Sequence, residues 1–159
     1  GLIANMRAAI TTARDRNMAI AYAPHRSGGE RRNHRHPTPN QDLSRLARFF
    51  SGFGGRFHTD LAPEVGDFVA SAHDVSSGFG GTDLDAHLRS IGVDQIVLCG
   101  LLTNTCIEST ARQGVDLGYH VSVLTDAVAA WTPADHAAAV NGSLSLVAHR
   151  LLTTEEFMS

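Results

Sequence analysis

Short apolar runs alternate with segments of helical periodicity along this chain, and that alternation limits what it can fold into. Leu2, Ile3, Met6, Ile10 and Ala13 recur at helical spacing and predict an amphipathic helix over 2–16, which Asn17 can end. Met18-Ala19-Ile20-Ala21-Tyr22 reads as a short buried strand. Residues 24–40, rich in Arg, His, Gly, Pro and Asn, read as a long loop. Leu43, Leu46, Ala47 and Phe50 suggest a short helix, 51–66 another loop, and Phe68-Val69-Ala70 a strand.

The second half repeats the alternation more sharply. Thr82 followed by Asp85 resembles a capping box and opens a helix over 83–90, which Gly92 ends. Gln95-Ile96-Val97-Leu98-Cys99 predicts a buried strand, 103–117 a helix closed by Gly118, and His120–Leu124 a further strand. Thr132-Pro133 supplies an N-cap and a proline at the first helical position of a helix running to about Val147, and His149–Leu152 closes the series as a strand. Strands exchanged with helices imply βαβ units: a parallel sheet covered on both faces, with ligands bound beyond the carboxyl ends of the strands. With 159 residues there is room for one such domain. A domain of this kind usually opens on a strand. This chain opens at Gly1 on a helical pattern, so an upstream strand is expected.

Several function classes are disfavoured. The formal charge of −3 and the lack of a basic stripe beyond Arg31–Arg35 argue against nucleic acid. No apolar run reaches the ~18–20 residues of a membrane span. Only two cysteines occur, without CxxC spacing, so a reducing cytoplasm is the default expectation. Gly78-Phe79-Gly80-Gly81-Thr82 lacks the ending of a phosphate loop, which argues against a nucleotide-binding domain. Ser51–Gly55 and Ser77–Gly81 share the string SGFGG on unrelated flanks and do not form a repeat.

The segment Cys99–Arg112 carries the chemistry. Strand 95–99 ends at Gly100, a turn follows, and Cys106 falls in the first turn of the next helix. A helix N-terminus there would favour the thiolate, and its free N–H groups could hold an oxyanion. Position alone leaves packing and catalysis equally open for Cys106, since free cysteine is among the most buried residue types. Cys99, at the end of an apolar strand, reads as core.

Gly100-x-x-Thr103-x-x-Cys106 followed by Glu108-Ser109-Thr110-Ala111-Arg112 resembles the nucleophile motif of the isochorismatase-like cysteine hydrolases. Ser77–Leu84 upstream, and Gly118-Tyr119-His120-Val121 with Thr125-Asp126-Ala127 downstream, agree in order and spacing, so the likeness covers roughly residues 60–155. It implies a three-layer αβα sandwich around a parallel sheet, a cis peptide just before Thr103, and often a homodimer or homotetramer. It also implies a triad of Asp, Lys and Cys that splits a C–N bond of a small molecule through a covalent acyl-enzyme. On that likeness Cys106 is the nucleophile, Leu102 and Thr103 shape the oxyanion site, Phe79 and His73 line the pocket, and no metal or other cofactor is needed.

The chain departs from the family pattern at two places. The family Asp ends a first strand that would precede Leu2, and Asp15, on the first helix, is no substitute. The family Lys falls at Ala72, within Ala72-His73-Asp74-Val75-Ser76-Ser77-Gly78-Phe79. His73 or an arginine of the 24–35 loop could supply the charge. Otherwise the chain is a catalytically altered or purely ligand-binding member of the fold. A metal site at His34-Arg35-His36 with His25 and His58 is disfavoured, because no Asp has the required spacing. Glu108 and Arg112 are expected to form an exposed pair, and Trp131 either packs or meets another subunit.

Overall fold

The computed structural model describes residues 1–25 and 57–159. The expected loop over 26–40, the helix around Leu43–Phe50, the loop up to 56 and the Arg31–His36 cluster lie outside the described residues.

Helix α1 (Leu2–Asp15) leads through a turn at Asn17 into β1 (Ala21–Tyr22), which pairs in parallel with β2 (Phe68–Val69). Helix α2 (Leu84–Ser90) precedes β3 (Gln95–Leu101). A wide π-type turn over Thr103–Ile107 then runs into α3 (Glu108–Asp116). Strand β4 (His120–Ala129) is followed by α4 (Pro133–Ala138), a second π-type segment (Ala139–Leu144) and α5 (Ser145–Val147). Strand β5 (Arg150–Leu152) and α6 (Thr154–Met158) close the chain. Strands β3, β4 and β5 form a parallel sheet in that order, and β1–β2 form a second, separate pair.

Helices cover both faces of the three-stranded sheet. Val121 and Val123 of β4 are buried with Leu84 and Leu88 of α2, Ala111 of α3 and Leu144 on one face. Leu124 and Ala127 pack with Met6 and Ala9 of α1 on the other, the alternation that a strand imposes. This is the α/β architecture expected from the alternation of elements.

Several local expectations are corrected. Strand β3 continues past Gly100, whose φ of +129° suits glycine, and β4 continues to Ala129 because it bulges between Val123 and Val128 and pairs again with Gly100 and Leu101. Thr82 and Asp85 do not form a capping box. The Thr82 hydroxyl donates to the Gly78 carbonyl, while Asp85 accepts from Arg89 and from the Tyr119 hydroxyl. The helix expected to run unbroken to Val147 widens after Ala138. A true capping box appears instead at Thr153 and Glu156, opening α6, which the periodicity did not show. Glu108 and Arg112 do pair, at 2.9 Å. None of the described helices is long and apolar enough to cross a membrane.

Candidate active site

Cys106 stands at the carboxyl end of β3, in the π-type turn Thr103–Ile107. The peptide bond Leu101–Leu102 is cis, immediately ahead of that turn. The Leu102 carbonyl accepts from the amides of Thr105 (3.2 Å) and Ile107 (3.1 Å), so it anchors the turn from below. The cysteine is half-buried. Burial pushes its thiol pKa above the ordinary value. The Thr105 side chain and the backbone at Leu102 and Cys106 act in the opposite direction and pull it partly back. The expected low pKa from a helix N-terminus is therefore not what the geometry gives: desolvation outweighs the amide donors.

Thr103 is fully buried, and its hydroxyl lies 3.0 Å from Nδ1 of His136 on α4. Its side chain therefore braces the turn, and only its backbone is left for an oxyanion role. His136 had no signal in the sequence, because the pairing spans 33 residues and depends on how α4 docks.

Cys106, Leu102, Thr105, Phe79, His73 and Trp131 are all at the wall of one cavity of about 870 Å³. Phe79 also stacks on Tyr119 with ring centroids 5.6 Å apart, so packing and lining are both true of it. His73 is buried, with Nδ1 against the Val75 carbonyl and Nε2 3.3 Å from the Ala23 carbonyl, and its ring meets that of His25 edge-on at 5.0 Å. The ring sits between two carbonyl acceptors, of which a neutral imidazole can serve only one at a time, and His73 ties the ends of β1 and β2 together. Ala72, beside it, offers no charge. Trp131 is exposed at 56% on the cavity rim. Cys99 also lines the cavity, and burial pushes its thiol up to about 11, in keeping with a packing role.

His58 accepts the Asp60 amide at 3.2 Å and caps the 3-10 turn Thr59–Leu61. Among the described residues no three His, Cys, Asp or Glu side chains come together as a metal site. Asp126, in the Thr125-Asp126-Ala127 string, accepts from the amide and hydroxyl of Thr154, each at 2.7 Å, and from Asn5 at 3.0 Å. It joins α1 and α6 to the end of β4.

The likeness to known proteins is broad. An uncharacterized isochorismatase family protein of Bacillus subtilis (strain 168), YwoC, is 37% identical over 102 residues, 64% of this chain and 53% of that protein. The ureidoacrylate amidohydrolase RutB of Serratia proteamaculans (strain 568) is 46% identical over 68 residues, 43% of this chain and 27% of that protein. The chain thus spans about half or less of the length of these relatives. Among solved structures, a cysteine hydrolase from Pseudomonas syringae pv. phaseolicola 1448A superposes with a TM-score of 0.76 at 26% identity, covering 99% of this chain and 78% of that one. The isochorismatase domain model matches residues 1–156, and the chain belongs to that family of isochorismatase-like hydrolases.

Proposed function

We propose that the chain belongs to a cysteine hydrolase that splits a C–N bond in a small carboxamide or ureido compound, with Cys106 as nucleophile. The observation that carries this reading is the place of Cys106 in the turn between β3 and α3, at the carboxyl end of a parallel strand and on the wall of a large cavity. The likeness to an amidohydrolase acting on ureidoacrylate supports the substrate class.

In this reaction the Cys106 thiol gives its proton to a carboxylate base and the thiolate attacks the carbonyl carbon. The oxyanion is held by backbone N–H groups of the turn between β3 and α3. The C–N bond breaks, the amine leaves with the proton, and a thioester remains. Water, deprotonated by the same base, then releases the acid and restores the thiol. In the family pattern this base is an aspartate at the end of a strand that precedes the first helix. With Ala72 in place of the family lysine, the 72–79 stretch contains no Lys or Arg to set a permanent cation beside the thiolate. Assembly as a homodimer or homotetramer belongs to the same reading; light scattering tests it.

The same departure favours a second reading, a ligand-binding protein without turnover. One experiment separates the two. The chain, with its upstream residues, is incubated with a panel of ureido acids and carboxamides, and ammonia release is followed alongside the intact mass. Hydrolysis predicts ammonia release and a mass gain confined to Cys106, both lost in Cys106→Ala. Saturable binding that survives Cys106→Ala, with no ammonia from any compound, would establish the binding protein instead.

A further inference from the structure

The bond between Thr103 and His136 has a direction. A hydroxyl can donate or accept, whereas an imidazole nitrogen donates only when it carries a proton. The Thr103 side chain is closed off from solvent, and among the described residues its hydroxyl has one polar partner, Nδ1 of His136 at 3.0 Å. A proton on Nδ1 would make that nitrogen the donor, and the buried hydroxyl proton would be left without an acceptor. A bare Nδ1 takes the hydroxyl proton and leaves no orphan. The ring proton of neutral His136 then belongs on Nε2. His136 is only half-buried, so its ring can exchange protons with solvent.

Both ends of the bond are fixed by their own elements. Helix α4 opens on Thr132, whose hydroxyl accepts the Asp135 amide at 3.1 Å and donates to the Asp135 carboxylate at 2.7 Å, with Pro133 at the first helical position. The His136 amide donates to the Thr132 carbonyl at 3.1 Å, so a capped turn carries the ring. At the other end, Thr103 opens the turn that holds Cys106, directly after the Leu102 carbonyl that receives the Thr105 and Ile107 amides. A change at the Thr103 hydroxyl is therefore felt by the backbone around the sulfur.

The charges near the ring are few. Helix α4 packs against the Cys106 turn and against Ala139–Leu144. The turn contributes one titratable group, Cys106, and Ala139–Leu144 contributes none. On α4 itself Asp135 is engaged by Thr132, and beyond the turn Glu108 and Arg112 of α3 pair with each other. Among the described residues no carboxylate bonds to the His136 ring to hold a second proton on it.

We propose that His136 is a positioning residue that keeps the Cys106 turn in order only while its ring is neutral. A bare Nδ1 accepts the Thr103 hydroxyl; a proton added there strands that hydroxyl and loosens the backbone of Thr103–Ile107. Histidine is the side chain whose charge changes between about pH 5 and 8, so the turn loses order in mild acid by a route separate from ionisation of the thiol. The inference rests on the hydrolase reading only in taking Cys106 as the reacting group, and His136 acts through Thr103 without touching substrate.

The test reads the turn and the thiol, not turnover, so loss of the hydrolase reading leaves it intact. Long-range proton–nitrogen NMR of histidine-labelled chain, with His136 identified by its absence in His136→Asn, should show a neutral ring protonated on Nε2; protonation on Nδ1 overturns the proposal. Amide hydrogen exchange of 103–107, corrected for the intrinsic effect of pH, should lose protection on the order of tenfold as His136 takes up its second proton, while β4 stays protected. Iodoacetamide labelling of Cys106, followed on its own peptide, should show an inflection at the same midpoint. His136→Asn sets an amide oxygen near the place of Nδ1, cannot titrate, and suits a helix about as well as histidine, so it should keep the turn protected and remove the inflection. Thr103→Val has no hydroxyl to strand and should remove the inflection independently. Exchange and labelling that pass through the His136 midpoint unchanged overturn the proposal, as does an inflection that either variant retains.

Discussion

The Thr103 hydroxyl and Nδ1 of His136 sit 3.0 Å apart at the base of the Cys106 turn. Thr103 is fully buried, so its hydroxyl has no water to fall back on, and His136 reaches it from an element far along the chain. His136→Ala should therefore cost about 1–3 kcal/mol, the penalty of a buried hydroxyl left unpaired. Thr103→Val, which removes the orphan along with the bond, should cost less. Urea denaturation of both single variants and the double variant gives the coupling, expected at about 0.5–3 kcal/mol. If the hydroxyl braces the nucleophile turn, both single variants also change the alkylation rate of Cys106. Strict additivity with an unchanged alkylation rate would show that the pair does not act as a unit.

A second buried hydroxyl is held by charge. The Tyr119 hydroxyl donates to Asp85 at 2.7 Å, and Asp85 also pairs with Arg89 at 2.9 Å. Burial first, then the Asp85 carboxylate, push the Tyr119 pKa up to about 12, while the hydroxyl and Arg89 hold the Asp85 carboxyl below its ordinary range. Asp85→Asn should therefore lower the tyrosinate midpoint only part of the way toward ~10, because burial is the larger cause and remains. The sign at acid pH also follows. Asp85 is depressed in the folded state, so its contribution is present above the unfolded pKa of ~3.9 and is lost as pH falls through the folded value. Wild type and Asp85→Asn should accordingly converge in melting temperature at low pH. A difference that persists undiminished there would place the effect elsewhere.

Much of this fold was legible because it depends on local pattern. Apolar runs such as Ile96–Cys99 and the caps at Thr132 and Gly118 mark elements wherever they sit, and the order of elements then selects a parallel sheet. The Cys106 turn was legible for the same reason: strand, glycine and helix are contiguous. What stayed hidden depends on contacts between distant segments. The bulge that lets β4 rejoin β3 at Gly100, the use of Asp85 by Tyr119 instead of by a helix end, and the bracing of Thr103 by His136 have no local signature. The direction of the Cys106 shift is hidden from the sequence for a related reason. A helix N-terminus can be read from sequence, but the desolvation that outweighs it depends on what packs around the turn.

Close approach gives a sharper test of packing. A Cβ on Gly78 would stand 2.9 Å from the Ala23 Cβ, and the Gly78 amide donates to Thr110 at 2.9 Å, fixing the loop to α3. Neither partner is the movable end of a long side chain, so Gly78→Ala should destabilise by about 1–3 kcal/mol through overpacking. Gly142→Ala is the control: nothing lies within 4 Å of its Cβ, and the position is helical in type. There alanine should be neutral or stabilising by about 0.4–1 kcal/mol. Thermal melts of the two variants should move in opposite directions or differ by several degrees. Equal shifts would mean that the Ala23 contact yields freely.

The two cysteines should also separate by pH. Both thiols are raised by burial, Cys99 to about 11, while Cys106 has the Thr105 side chain and two amides opposing the rise. Alkylation of the folded chain should accelerate first at Cys106, and at Cys99 only at more alkaline pH, since the thiolate is the reacting species. The same shift is a stability term. The unfolded chain loses its thiol protons near pH ~8.5 while the folded Cys99 keeps its proton, so the unfolded state binds fewer protons across that interval. Stability is full below the unfolded value and declines as pH rises toward the folded one, by about 1.4 kcal/mol for each unit of separation. Cys99→Ala removes that decline but also opens space against the cluster of Met6, Ala9, Leu124 and Ala127, so it should start less stable and show a flatter alkaline limb. Urea midpoints measured from neutral to alkaline pH decide the matter: parallel limbs for the two proteins would mean that Cys99 is not the group that titrates.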